Sequence, residues 1–377
     1  MHRREFIQAG LAAAFAAKLI GQTPAASAKL KVAINSRHLQ WLRTPDEIAE
    51  AAIEMGFAGI DLNIDPTKTA IDLPVYANAI RKHGLEVVAI TTALTDADSP
   101  GAEALLGSAH AAGLTHYSAS PFHYDETKPI QPQLDALKPR VEKLTKLNER
   151  YKLKAMYRTL SGSGNVGSAV WDFLSVLRNF DPSLVSLQYD LGEMAVAGGI
   201  GTWALNLKAA GPYLGGVSLS DGILETTFAV SGGGPFTGPP APAGGRGGGG
   251  RGRGPAGASG GFGPPGGGED FGPPGAAGRG GRGGGGAGTG GVRGAVAAPP
   301  WHNRPVPLGT GMAGLAPMAA ILKEINFNGP VEIQANYPNG GAEKGDDHIT
   351  LPREQVLGNM KRDLLSVKAA WAASGLL

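Results

Sequence analysis

Polar side chains recur at every second position in two otherwise apolar segments, which is the spacing that places side chains on one face of a β-strand. Glu332, Gln334 and Asn336 form one series, and Asp61 and Asn63 form the other. Carboxylates can carry protons in acid–base catalysis, and amides can hydrogen bond a ligand. The two series predict either a polar site or hydrogen-bonded packing inside the fold. Glu332 is either a carboxylate close to the pocket or a residue at the bottom of its strand.

Three further candidates follow predicted strands, at the positions where loops begin. His38 follows the first strand together with Arg37, His123 follows the fourth, and Asp221 ends the seventh in the sequence SDG. Loops at these strand ends line the pocket of a barrel. We expect His38 and His123 either to contact substrate or to be ordinary loop residues. Asp221 either contacts ligand or caps the turn that follows it.

A repeated pattern predicts the elements that position these residues. An amphipathic helix, a glycine and a short apolar strand follow one another in IAEAAIEMGFAGIDLNI (Ile48–Ile64), YANAIRKHGLEVVAI (Tyr76–Ile90), ALLGSAHAAGLTHYSAS (Ala104–Ser120) and MAAILKEINFNGPVEIQ (Met318–Gln334). Helix–glycine–strand units in series build parallel sheets. The repeat therefore places the chemistry at the carboxyl ends of the strands.

Eight strands are predicted over Lys31–Asn35, Ala58–Ile64, Glu86–Thr91, Thr115–Ser118, Lys154–Tyr157, Val185–Tyr189, Gly216–Leu219 and Pro330–Gln334. Long helices are predicted over Gln133–Tyr151, Ala169–Asn179 and Leu351–Ala373. Eight strands alternating with helices favour a (β/α)8 TIM barrel over residues 29–377. An open, doubly wound sheet is the alternative.

Composition limits the class of protein. The 377-residue chain contains no cysteine, which excludes disulfides and thiolate metal sites. Its formal net charge of +2 is uneven, because residues 1–28 carry +2, residues 231–294 carry +4 and the remainder carries −4. The part expected to fold therefore lacks the basic field of a nucleic-acid-binding protein.

The first 28 residues predict an export signal. Arg3 and Arg4 precede the apolar stretch Gly10–Ile20, and Ala26–Ala28 matches an A-x-A cleavage site. Paired arginines favour the twin-arginine route, so we predict a signal peptide over 1–28 and a periplasmic or otherwise exported protein. No later apolar run reaches the roughly 20 residues that a membrane span requires.

Residues 231–300 predict a low-complexity insertion after the seventh strand. Glycine fills 32 of the 64 positions in 231–294, which leaves too little apolar surface to offset backbone entropy, so we predict disorder. Its arginine–glycine repeats resemble RNA-binding segments. We favour a tolerated loop insertion and expect no nucleic-acid partner; an arm that contacts cell-wall polyanions is a further alternative.

Four motifs in the second half resemble the late strands of the sugar phosphate isomerase/epimerase family of xylose isomerase-like barrels. They are YDLGE (Tyr189–Glu193), VSLSDG (Val217–Gly222), VPLGTGM (Val306–Met312) and INFNGPVEIQ (Ile325–Gln334). ITTALTDAD (Ile90–Asp98) resembles the third strand of some members, so the likeness covers nearly all of 29–377 apart from the insertion. The resemblance implies a small-carbohydrate isomerase or epimerase that transfers a proton next to a carbonyl.

The resemblance also implies a metal site, because family members usually hold one divalent ion with Glu, Asp, His and Glu from strands five to eight. These four positions fall on Arg158, Asp190, Ser218 and Gln334, so only Asp190 keeps the family's residue type. A guanidinium in this position would repel a cation, since it cannot lose its charge near neutral pH. We therefore expect no cofactor, although Mn, Mg, Zn or Co is the family expectation.

The resemblance and the residue types together define the candidate site. We expect Asp190 and Glu193 to be the acid–base carboxylates. The expected substrate-binding residues are Arg158, His38, His123, Asp221, Gln334 and Asn336. Arg158 would replace the metal as the positive centre and bind a sugar carboxylate, a hydroxyl cluster or a phosphate.

A carbohydrate-binding pseudoenzyme with a structural Arg–Asp bridge is the alternative to an enzyme.

The glycine-rich loop Gly309–Gly314 is expected to bind phosphate through its backbone N–H groups. The sequence leaves the substrate and the oligomeric state open.

Overall fold

The computed structural model describes residues 29–64, 72–226 and 301–377. The predicted signal peptide over 1–28 and the predicted disordered insertion over 231–300 lie outside these residues, so both stay predictions. Within the described residues, no helix is both long and apolar enough to cross a membrane.

Eight parallel strands close into a barrel. They are β1 (Val32–Asn35), β2 (Gly59–Ile64), β3 (Glu86–Thr92), β4 (His116–Ala119), β5 (Lys154–Arg158), β6 (Val185–Asp190), β7 (Leu214–Leu219) and β10 (Val331–Ile333). Their order around the barrel is β1-β10-β7-β6-β5-β4-β3-β2, so the last barrel strand lies between β7 and β1. The predicted (β/α)8 barrel is confirmed, and the open-sheet alternative is wrong.

Helices follow the barrel strands and cover the outside of the barrel. They are α1 (Pro45–Met55), α2 (Leu73–Lys82), α3 (Ala102–Ala111), α4 (Ile130–Tyr151), α5 (Trp171–Leu177), α6 (Leu191–Ala210), α7 (Leu315–Glu324) and α8 (Arg353–Trp371). The start of α1 follows from a capping box, because the Thr44 hydroxyl accepts the N–H of Glu47 and the Glu47 carboxylate accepts the N–H of Thr44.

An antiparallel hairpin that the sequence did not predict follows β7. It consists of β8 (Gly222–Thr226) and β9 (Trp301–Pro305). Thr226 and Trp301 are paired at its end, so residues 227–300 leave and re-enter the described chain at neighbouring positions.

The outward faces of the strands are apolar and pack under the helices, whereas much of the barrel interior is polar. Met156 of β5 packs inside the barrel against Gly216 of β7, where an added Cβ would lie 2.6 Å from the Met156 sulfur. Polar side chains form another layer of the interior and are almost completely buried, namely Asn35, Asp61, Ser118, Gln188 and Glu332. Branched apolar residues usually fill this layer of a TIM barrel, so the polar layer must be stabilised by its own hydrogen bonds.

Candidate active site

The four positions of the predicted site lie on four consecutive barrel strands. Arg158 ends β5, Asp190 ends β6, Ser218 lies in β7 and Gln334 follows β10 directly. Asp190 pairs laterally with Ser218, and Ser218 pairs with Glu332 of β10. The predicted convergence at the carboxyl ends of the strands is therefore present in the fold.

Asp190 has hydrogen-bond partners for both carboxylate oxygens. Oδ1 accepts the hydroxyl of Ser220 and the N–H of Glu193, which makes Asp190 the N-terminal cap of α6. Oδ2 accepts Arg158 Nη2 at 3.4 Å. The side chain is 1% exposed. Asp190 therefore anchors Arg158 and the start of α6. The sequence predicts that Asp190 carries protons, but its burial and these contacts do not favour that role.

Glu193 lies in the first turn of α6 and is half-buried at the edge of the site. Oε2 accepts both the N–H and the hydroxyl of Ser161, and Oε1 accepts Asn303 Nδ2 at 3.4 Å. Burial and the charge of Asp190 raise the pKa of Glu193, although the hydrogen bonds from Ser161 oppose that shift. A half-buried carboxylate with a raised pKa is suited to general acid–base chemistry.

Arg158 is the positive centre of the site. Burial alone would lower the pKa of Arg158, but the carboxylates of Glu332, Asp190 and Glu193 outweigh it and the pKa is raised. Its Nε is buried and has no hydrogen-bond partner among the described residues, and the same is true of Ser218 Oγ. Buried polar atoms without partners are costly, so the site has hydrogen-bonding capacity that a ligand could use.

Glu332 is the centre of the buried polar layer. Its oxygens accept three amide groups: Asn35 Nδ2 at 2.6 Å, Gln188 Nε2 at 2.8 Å and Gln334 Nε2 at 2.9 Å. The sequence left Glu332 and Asp61 open between site and packing, and these contacts place Glu332 in the packing of the interior. Gln334 lies at the boundary, since it is 4% exposed and its amide holds Glu332.

His38 is completely buried and fixes a loop. Its Nε2 accepts the N–H of Ala335 at 3.0 Å, and its Nδ1 faces the carbonyl of Ala342 at 3.1 Å, which assigns the proton to Nδ1. Burial lowers the pKa of His38 to about 4, so the ring is neutral near pH 7. Both nitrogens are engaged by backbone, which fits a structural role better than the predicted contact with substrate.

Two other predicted residues lack polar side-chain contacts in the described part of the chain. His123 is exposed on the loop after β4, and Asn336 is half-buried after β10. Neither makes a side-chain hydrogen bond to the Arg158–Asp190–Glu193 cluster. Their contact with substrate therefore stays a prediction.

Asp221 occupies the loop that the sequence assigned to phosphate. Its Oδ2 accepts the N–H groups of Gly309 and Gly311 at 2.9 Å, and its Oδ1 accepts those of Gly222 and Ala313 at 2.9 and 2.8 Å. The protein's own carboxylate therefore uses the N–H groups that would cradle a phosphate. The expected phosphate site at this loop is wrong, and the contacts of Asp221 fit its role as a turn cap.

Two contacts of Glu193 could not be found from the sequence. Ser161 lies in the loop after β5, and Asn303 lies on β9 of the unpredicted hairpin. Asn303 packs closely on Gly222, where an added Cβ would lie 2.3 Å from Asn303 Oδ1. Gly222 is the glycine of the SDG motif, and a glycine there is the sequence signal that could have indicated a close neighbour such as Asn303.

A family model of the xylose isomerase-like TIM barrel matches residues 49–353. The chain belongs to the xylose isomerase-like TIM barrel family. Similar solved structures of this barrel type include the IOLI protein with a zinc atom, at 13% identity and a TM-score of 0.55, covering 90% of this chain and 99% of that one. The 3-keto-D-glucoside 4-epimerase of E. coli is 11% identical with a TM-score of 0.51, covering 89% and 100%.

D-allulose 3-epimerase from Methylomonas sp. is 13% identical with a TM-score of 0.52, covering 91% of this chain and 98% of that chain. No curated protein matches the sequence. At these identities the solved structures show the shared xylose isomerase-like barrel, and the chemistry must be argued from the residues of this chain.

The residues of this xylose isomerase-like barrel do not fit the divalent metal that its family implies. Within residues 29–64, 72–226 and 301–377, no three His, Asp or Glu side chains are arranged to hold an ion. The Arg158 guanidinium contacts the retained ligand Asp190, and Ser218 and Gln334 supply only neutral groups. Neutral oxygens beside a guanidinium make a poor site for a transition metal.

Proposed function

We propose that this chain is a carbohydrate isomerase in which Glu193 moves a proton next to a carbonyl and Arg158 takes the place of the family metal. One arrangement carries the proposal: the half-buried Arg158, whose buried Nε has no hydrogen-bond partner among the described residues, lies beside Asp190, which also caps the helix that carries Glu193. The site thus combines a fixed positive charge with a carboxylate whose pKa is raised.

The proposed step is the interconversion of an aldose and a ketose. The carbonyl oxygen accepts a hydrogen bond from Arg158, and Glu193 removes the proton from the neighbouring carbon. The electron pair of that C–H bond forms an enediolate, whose negative oxygen is stabilised by the guanidinium. Glu193 then returns its proton to the former carbonyl carbon, while the hydroxyl proton moves to the former carbonyl oxygen, so atoms and charge balance.

Isomerisation is favoured over epimerisation because one proton carrier is sufficient for it. Inverting a single carbon needs proton delivery to the opposite face and therefore a second carrier. Asp190 is the other predicted carboxylate, but it is almost completely buried and paired with Arg158, whereas Glu193 is half-buried. The engagement of Asp221 with loop N–H groups favours an unphosphorylated sugar, since those groups are not free for phosphate. The sugar epimerases among the solved neighbours support a carbohydrate as the ligand.

A panel of aldoses and ketoses incubated with the protein in D₂O tests this proposal. We expect one aldose–ketose pair to incorporate deuterium at the carbon next to the carbonyl, because the proton on Glu193 can exchange with solvent between the two transfers. NMR of the recovered sugars measures the incorporation. Exchange with inversion and no aldose–ketose conversion would instead indicate an epimerase.

A carbohydrate-binding pseudoenzyme is the second candidate. It is favoured by the hydrogen bonds that both oxygens of Asp190 already accept from the protein. If its pairing with Arg158 only stabilises the barrel, a sugar would bind without any carbon–hydrogen exchange. Ligand binding to the folded state raises the melting temperature. Stabilisation by a sugar that shows no exchange would favour the binder over the enzyme.

The proposed replacement of the metal by Arg158 predicts that the purified protein contains far less than one Mn, Zn or Co per chain. The physical reason is the repulsion between a metal ion and the adjacent guanidinium, which no thiolate of the chain and no group of histidine and carboxylate ligands in its described part offsets. Elemental analysis after loading with each metal and dialysis measures the content. One tightly retained ion per chain would contradict the replacement.

A further inference from the structure

The amino-terminal end of the barrel, opposite the candidate active site, contains two adjoining cavities. Their volumes are about 450 and about 370 Å³, which is large enough for a small ligand. Both are lined by residues at the starts of barrel strands, and they share Thr115, His116, Asn328 and Gly329. We call this pair of cavities the lower mouth.

The lower mouth is lined by an excess of positive charge. Lys29 and Lys31 line one cavity, Lys152 and Lys154 line the other, and Glu86 is the one acidic residue in either lining. Glu86 forms an ion pair with Lys31, which leaves three lysines of the lining without that neutralisation. This excess is notable because the chain outside residues 1–28 and 231–294 has a net charge of −4.

Lys154 and His116 are half-buried residues of the lower mouth, and His116 lines both of its cavities. They are lateral partners at the starts of β5 and β4, and their positions alternate with apolar residues that face the helices. The side chain of Lys154 makes no hydrogen bond or ion pair in the described part of the chain, and burial lowers the pKa of Lys154 although Asp181 partly opposes the shift. The ammonium group is thus partly desolvated without an acceptor, which costs free energy.

His116 is positioned to assist as a neutral donor. Burial, together with the charge of Lys154, lowers the pKa of His116 to about 4, so it does not add positive charge near pH 7. Its Nδ1 lies 2.8 Å from the hydroxyl of Thr115. If that hydroxyl donates to Nδ1, the ring carries its proton on Nε2 and can donate it to a bound oxygen.

We propose that the lower mouth binds a phosphate group, with Lys154 as its main cation. An anion would supply the acceptor that Lys154 lacks and would reduce repulsion among the surrounding lysines. Among the described residues the lining contains lysines and no arginine, and ammonium groups, which act as separate point charges, suit a tetrahedral phosphate better than the planar, bidentate pairing typical of a carboxylate. The site does not depend on the proposed isomerase activity.

Titration calorimetry with inorganic phosphate at low ionic strength tests the site. We expect saturable binding that Lys154→Met weakens at least tenfold. Lys146→Met is the matched control, because Lys146 is an exposed lysine of α4 paired with Glu142, and it should change the affinity less than twofold. Added salt should weaken binding to the wild-type protein by screening.

Two further arms make the result decisive. Lys152→Met removes an exposed lysine of the same lining, so it should weaken binding about threefold even if Lys154→Met impairs folding. Glucose 6-phosphate and glucose, compared with inorganic phosphate, separate a phosphate carried by a sugar from the free ion. Absence of phosphate binding, or equal loss in the Lys146 and Lys154 variants, would overturn the proposal.

Discussion

Replacing Glu193 with glutamine should lower the rate of carbon–hydrogen exchange roughly 100- to 10,000-fold, the range that general acid–base groups contribute. Glutamine keeps an oxygen that can accept the N–H of Ser161, but it cannot take a proton from carbon. The fold should therefore persist while proton transfer is lost. Deuterium incorporation into the best sugar of the panel measures the effect.

The pH profile gives the same prediction a second readout. Burial and the charge of Asp190 raise the pKa of Glu193, and only its deprotonated form can act as the base. Exchange should therefore be slow at low pH and rise through this raised pKa, and the residual rate of Glu193→Gln should lack that rise. Glu324→Gln is a matched control, because Glu324 is an exposed carboxylate of α7 paired with Lys208. Equal rates in the wild type and Glu193→Gln would remove Glu193 from the mechanism.

The barrel could be predicted because its signals are local. Each helix–glycine–strand unit has its own apolar pattern, and the Thr44 cap is complete within four residues. The eight predicted strands all occur, and their ends differ from the predicted ones by at most two residues. The hairpin was missed because β8 and β9 are short, lack a clear alternation, and are separated in sequence by residues 227–300.

The positions of the site residues could be predicted from the sequence, but their roles only in part. Strand register fixes where Arg158, Asp190 and Ser218 lie, and their three strands are among those that the sequence predicts. The role of a carboxylate depends instead on which donors reach it in three dimensions. The sequence predicts Asp190 as an acid–base carboxylate and Asp221 as either a ligand contact or a turn cap, whereas in the structure Asp190 caps a helix and Asp221 holds a loop through four N–H groups. Those donors come from distant segments that a strand pattern does not connect.

The buried carboxylates of the barrel interior affect both the stability of the fold and the charge of the site. Asp61 and Glu332 are both about 1% exposed, and both raise the pKa of Arg158. Their negative charges help to keep a guanidinium inside the barrel, where desolvation would otherwise penalise it. The two carboxylates differ in their hydrogen bonds, however, and that difference predicts opposite effects on stability.

Replacing Asp61 with asparagine should stabilise the protein at neutral pH by about 1–3 kcal/mol. Burial and the charge of Glu332 raise the pKa of Asp61 well above its usual value, so the folded state must either bury a second charge or bind a proton. Asparagine avoids both costs, and its oxygen can still accept the Thr91 hydroxyl, which now donates to Asp61 at 2.8 Å.

The sign of the pH dependence follows from the raised pKa of Asp61. Between the pKa of an unfolded aspartate, about 4, and the raised pKa in the barrel, the folded state binds more protons than the unfolded state. The free energy of unfolding contributed by Asp61 is therefore full below about pH 4 and declines as the pH rises through this interval. Urea unfolding at several pH values should show this decline in the wild type and its loss in Asp61→Asn.

Glu332→Gln removes the same formal charge and should have the opposite effect, destabilising the protein by about 3 kcal/mol. Three amide groups donate to the Glu332 carboxylate, and a glutamine would turn its own N–H₂ group towards at least one of them. If charge repulsion alone governed the interior, both variants would be stabilised, because each removes one of two neighbouring carboxylates. Opposite signs in the same urea experiment would show that Glu332 is held by its donors and that Asp61 is the carboxylate whose burial costs stability.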